Sequence, residues 1–86
     1  MTLGERLRSL RHAHGLTQLE ACDRAGISEP TLVMAERDRC TPYRHTLGLI
    51  ADAYGVEPHA LLSGVALTER QRKRYRFLLL HRSEDA

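Results

Sequence analysis

The chain has 86 residues, enough for one small domain and too few for two. At 42% apolar and 28% charged it has the composition of an ordinary folding domain, which excludes collagen-like, low-complexity and disordered acidic classes. A formal net charge of +2, with five histidines neutral, does not by itself announce a polyanionic partner. Apolar runs such as Phe77–Leu80 reach four residues, where a membrane span needs roughly 18–20. The start MTLGERLRSLR carries no signal-peptide core, so a cytoplasmic protein with no membrane association is expected. Two cysteines, Cys22 and Cys40, are too few for a disulfide-stapled scaffold.

In chain order, Thr2 and Glu5 fit a capping box, and Leu3, Leu7 and Leu10 follow at helical spacing. They predict a first helix over 3–14, with Gly15 past its end. Thr17 and Glu20 repeat the box, Ala21, Cys22 and Ala25 supply small inward groups, and Gly26 closes a second, short helix. Ser28 caps a third helix, tolerant of Pro30 in its first turn, in which Thr31, Leu32 and Ala35 carry the pattern to Arg37. After a polar break at 38–42, Leu47, Ile50, Ala51 and Tyr54 mark one face of a fourth helix over 44–54. Pro58 opens a fifth, with Leu61 and Leu62 inward and Gly64 at its end, although Glu57 is a weak cap. Thr68 and Gln71 form another box, and no Gly or Pro interrupts a sixth helix before Arg82. No strand is predicted, and the fold class is all-α.

Two short helices joined around Gly26 form the helix-turn-helix arrangement, whose second helix enters the DNA major groove. GLTQ at 15–18, AGIS at 25–28, Glu36-Arg37, the Pro42 spacer and TLGLIADAYGV at 46–56 together resemble the lambda-repressor/Cro-like helix-turn-helix family, also called XRE, over residues 3–64. The resemblance implies a five-helix lambda-repressor-like DNA-binding domain over 1–64, and the basic, amphipathic C-terminal helix in 65–86 lies beyond that family core. It implies that Gln18 holds a DNA phosphate, aided by backbone N–H donors of the helix start, the alternative being a solvated surface glutamine. It also implies a structural ion pair between Arg11 and Glu36. Thr17, Thr31, Arg37, Arg39 and Arg44 are further candidates for phosphate contact, and Ser28, Glu29, Pro30, Val33 and Met34 fall at or beside the base-reading positions.

The set Glu29, Pro30, Val33 and Met34 is unusual, since it offers one carboxylate and three apolar side chains where bidentate amides or guanidiniums are common. A carboxylate accepts from cytosine N4, and Pro30, Val33 and Met34 suit thymine methyls, which gives a half-site with C and T contacts. The alternative is that Glu29 only favours the helix N-terminus and Met34 only fills surface. Residues 1–64 have net charge −1 and 65–86 have +3, so phosphate binding depends on where Arg24, Arg37, Arg39 and Arg44 lie. About two to four phosphate contacts per subunit give weak, salt-sensitive binding, and a homodimer is expected on that ground.

On the sixth helix Gln71, Tyr75, Leu78, Leu79 and Arg82 share one face, with Phe77 and Leu80 beside it. The face packs on its own core or pairs with a second subunit, for which Tyr75, Leu78, Leu79 and Arg82 are the dimerisation candidates. Arg70, Arg72, Lys73, Arg74 and Arg76 suit a solvated face, a phosphate backbone or an acidic protein. Isolated Cys22 and Cys40, and His12 and His14 two apart on a helix, give no metal site. With no phosphate-binding Gly loop, nucleophile elbow or catalytic carboxylate pair, neither a cofactor nor enzyme activity is expected. The expected function is a homodimeric repressor on an inverted-repeat operator. The competing one is a protein-interaction module, such as an antitoxin or adaptor, using the third helix or the C-terminal helix.

Overall fold

A computed structural model describes residues 1–80; Arg82, proposed above for dimerisation, lies outside the described residues. The described residues form seven helices in order: α1 (Leu3–Ala13), α2 (Gln18–Ala25), α3 (Glu29–Glu36), α4 (Arg44–Ala53), α5 (Pro58–Leu62), α6 (Glu69–Arg74) and α7 (Arg76–Leu80). The three capping boxes form as the sequence predicts, at Thr2 with Glu5, Thr17 with Glu20 and Thr68 with Gln71. Each satisfies N–H groups that a helix start leaves without partners. As expected of Glu57, α5 starts without a side-chain cap.

Apolar spacing on each helix turns one stripe inward, so that Leu3 and Leu7, Ala21 and Cys22, Leu32 and Ala35, and Leu47, Ile50 and Ala51 meet in one core. Tyr54, Leu61, Leu62 and Tyr75 complete it. Helix α3 packs on α1 and α2, while α4 packs on α2 and α5. Among the described residues no helix is long and apolar enough to cross a membrane.

The junction of α1 with α3 depends on a glycine inside a helix. A Cβ on Gly4 would lie 2.5 Å from the Glu36 carbonyl oxygen and 2.9 Å from that of Ala35, so only hydrogen lets the backbones approach this closely. Asp38, in the left-handed region at φ 57°, turns its carboxylate back to accept from Gly4 N at 2.9 Å and from Thr2 Oγ1 at 2.7 Å. Its negative charge lies at the start of α1, where the helix dipole favours it.

The single sixth helix expected from the sequence is instead two. The chain turns at Tyr75 (φ −101°, ψ 15°), and this change of direction lays α7 against α5, with Leu78 and Leu79 half-buried on the core. Tyr75 is fully buried, and its hydroxyl donates to the Pro42 carbonyl at 2.6 Å. It is therefore a core residue of its own subunit, which corrects its assignment to a dimer contact. Gln71 is also buried, so residues after 64 share the core of those before it.

Candidate nucleic-acid interface

Helices α2 and α3 meet through a turn that Cys22 holds from both sides. Its carbonyl accepts from Gly26 N at 2.8 Å and Ile27 N at 3.1 Å, and its thiol approaches the Ser28 carbonyl at 3.6 Å. Gly26 takes the left-handed conformation at φ 73° that lets α2 stop and the chain reverse into α3. Burial raises the Cys22 thiol pKa, so the group remains a neutral, small packing element.

Helix α3 buries Leu32, Ala35 and Glu36 and leaves Glu29, Pro30 and Met34 exposed, with Val33 half-buried beside them. Glu29, Pro30, Val33, Met34 and Arg37 follow at positions i, i+1, i+4, i+5 and i+8, which places them on one outward side of the helix. Ser28 caps the helix by accepting from Thr31 N, and its hydroxyl lies 2.6 Å from that of Thr31. Both hydroxyls are thus partly committed to holding the start of α3.

Beneath this surface Arg11 grips Glu36 with two bonds, Nε to Oε2 at 2.7 Å and Nη2 to Oε1 at 2.9 Å. Arg11 Nη1 also donates to the Leu16 carbonyl at 3.0 Å, so each of the three guanidinium nitrogens makes a hydrogen bond. The hydrogen bond to Glu36 raises the Arg11 pKa above its already high ordinary value. The structural pair expected from the resemblance therefore forms, and both partners are buried.

Gln18, the expected phosphate holder, donates from Nε2 to Glu36 Oε1 at 3.1 Å. One of its two amide hydrogens is used internally and the second remains for an external acceptor. Thr17 accepts from Glu20 N at 3.1 Å, while its own N–H donates to the Glu20 carboxylate at 2.9 Å. That backbone bond holds Glu20 below the usual carboxylate range and keeps a negative charge beside the start of α2.

The arginines divide into two groups. Arg37 and Arg39 are exposed at the end of α3 and just beyond it, and Arg24 is exposed on α2. Arg44, at the start of α4, lies 6.0 Å from the Phe77 ring centroid and so faces α7. A cleft of about 600 Å³ lies between the α3–α4 loop and α6, lined by Thr31 and Arg39 on one side and by Arg70 and Arg74 on the other. The joint position of Arg70 and Arg74 was legible only as an i, i+4 spacing, and the loop they face was not. Among the described residues, no group of three or more His, Cys, Asp or Glu side chains is placed to hold a metal ion.

Residues 2–63 match the family described as helix-turn-helix domain. Over 75 residues, 87% of its length, the chain is 32% identical to a protein named immunity repressor protein from Bacillus phage phi105. Over 65 residues, 76% of its length, it is 45% identical to the HTH-type transcriptional regulator DdrOP3 of Deinococcus deserti. The aligned segments cover 52% and 50% of those two proteins, so the chain spans about half the length of the relatives it matches.

Proposed function

Because the chain belongs to the helix-turn-helix domain family, we propose that it binds double-stranded DNA with sequence preference and regulates transcription as a homodimeric repressor. The observation that carries this reading is the outward side of α3, where Glu29, Pro30 and Met34 are exposed with Val33 half-buried beside them, while Leu32, Ala35 and the Arg11–Glu36 pair fix the helix from behind. In the major groove Glu29 accepts from cytosine N4, and the three apolar side chains pack on thymine methyls. Thr17, Gln18, Thr31, Arg37 and Arg39 hold phosphates on either side, with Arg44 further along.

Two copies on an inverted repeat double the phosphate contacts that one copy makes too sparingly for firm binding. With Tyr75 in the core, the contact between copies falls to α7, where Phe77 and Leu80 are exposed and Leu78 and Leu79 half-buried. Occupancy of such a site excludes polymerase, and the place of action is the cytoplasm. The names of the two relatives, a repressor and a transcriptional regulator, support the same reading.

Titration of labelled duplexes with two variants tests it. Gln18→Ala weakens binding to all sequences alike, whereas Glu29→Ala alters preference at one position of each half-site. If Glu29→Ala leaves the ranking of duplexes unchanged, α3 does not read bases through that carboxylate.

A further inference from the structure

Helix α6 does more than cover the core, because its last residue, Arg74, and the adjoining Tyr75 grip three successive residues of the loop that follows α3. Arg74 donates from Nη1 to the Thr41 carbonyl, Tyr75 donates to that of Pro42, and the Arg74 guanidinium lies 4.8 Å from the centroid of the Tyr43 ring. The loop is thereby held as one wall of the cleft described above, and α6 forms the other.

The cleft is electropositive. Arg39, Arg70 and Arg74 line it against one carboxylate, Asp38, whose two oxygens already accept from Thr2 and Gly4. Arg39 and Arg70 are exposed, and neither has a carboxylate partner among the described residues. Thr31 joins the cleft directly to α3, one residue from Pro30. The other basic residues of α6, Arg72 and Lys73, line a different groove with Glu69 and Leu80.

We infer that this cleft seats a phosphate of the DNA backbone, with Arg70 as a direct ligand supplied from beyond the family-matched segment and Arg74 as the positioning residue that holds the loop wall. The inference rests on the proposed DNA-binding function and adds to it a contact made by the C-terminal helix. A planar fork and an unpaired charge beside Thr31 give a phosphate oxygen both a donor set and a net positive field. The guanidinium of Arg74, already committed to Thr41 and Tyr43, keeps that geometry before DNA arrives.

The test is the salt dependence of binding by the full chain to a labelled duplex carrying an inverted repeat enriched by the wild type. Arg70→Gln lowers the slope of log K against log salt by about 0.9 for each bound copy, without changing sequence ranking. Arg72→Gln removes the same charge from the other groove and leaves the slope near that of the wild type. Both positions are exposed, and matching thermal midpoints confirm that each variant is folded. Arg74→Lys, which keeps the charge but loses the fork, weakens binding several-fold; undiminished binding removes Arg74 from its positioning role. Equal slopes for Arg70→Gln and Arg72→Gln overturn the inference while leaving the DNA-binding function intact. Failure of the wild type to bind any duplex overturns both.

Discussion

Gln18 Nε2 donates to Glu36 Oε1 at 3.1 Å, which ties the first residue of α2 to the last residue of α3. The same carboxylate takes two bonds from Arg11 of α1, so three helices converge on one buried acid. The orientation of α3 against α2 is therefore set by a polar junction as well as by the apolar core. The Gln18 side-chain amide is held in place by the same bond.

Removing one partner of that junction leaves a buried charge without compensation. Glu36→Ala is expected to cost about 3–5 kcal/mol in chemical denaturation, while replacing Arg11 and Glu36 together by apolar residues of similar size costs much less. A loss below about 1 kcal/mol for Glu36→Ala contradicts the burial argument.

The two buried tyrosines are expected to respond oppositely to loss of the hydroxyl. Tyr75→Phe strands the Pro42 carbonyl and costs about 1–3 kcal/mol, whereas the buried Tyr54 hydroxyl has no hydrogen-bond partner among the described residues, so Tyr54→Phe is neutral or stabilising. Equal destabilisation by both in urea titrations sinks this distinction.

Gly4→Ala places a methyl against two backbone carbonyls that cannot rotate away. A loss of about 1–3 kcal/mol is expected from the forced separation of α1 and α3. An unchanged thermal midpoint shows instead that the two helices separate freely.

Most of the fold was legible because its signals are local. Thr2, Thr17 and Thr68 cap within three residues, and the glycines that end helices sit where the periodicity stops. Arg11 and Glu36 were found through the family resemblance, which carries a pairing that spacing alone does not. The features that escaped are nonlocal. Asp38 acts on Gly4 and Thr2 from 34 and 36 positions away through a left-handed backbone that aspartate adopts rarely. Tyr75 sits on an apolar helix face, and periodicity does not distinguish a face turned to its own core from one turned to a second copy. On α3 the outward side was identified, yet the internal bond of Gln18 was not, because a surface-type residue at a helix start gives no sign of a buried acceptor.

Alkaline pH provides a separate check on the core. Burial, with a smaller contribution from the charge of Glu36, pushes the Tyr54 phenol up to about 12, and burial also raises that of Tyr75. Raised folded-state values mean that the stabilisation is fully present below the unfolded tyrosine pKa of about 10 and is lost as pH rises through the folded values. Urea midpoints are therefore expected to fall from about pH 10 upward, and less steeply in Tyr54→Phe. A midpoint curve with the same slope in that variant contradicts the assignment.

The central claim, that α3 reads DNA, is tested most directly by selecting the purified chain against a randomised duplex library at about physiological salt and sequencing the bound pool. Enrichment of inverted half-sites about one helical turn apart, with cytosine and thymine at the positions facing Glu29, Pro30, Val33 and Met34, is the expected result. A bound pool with the base composition of the starting library contradicts sequence-specific recognition by α3.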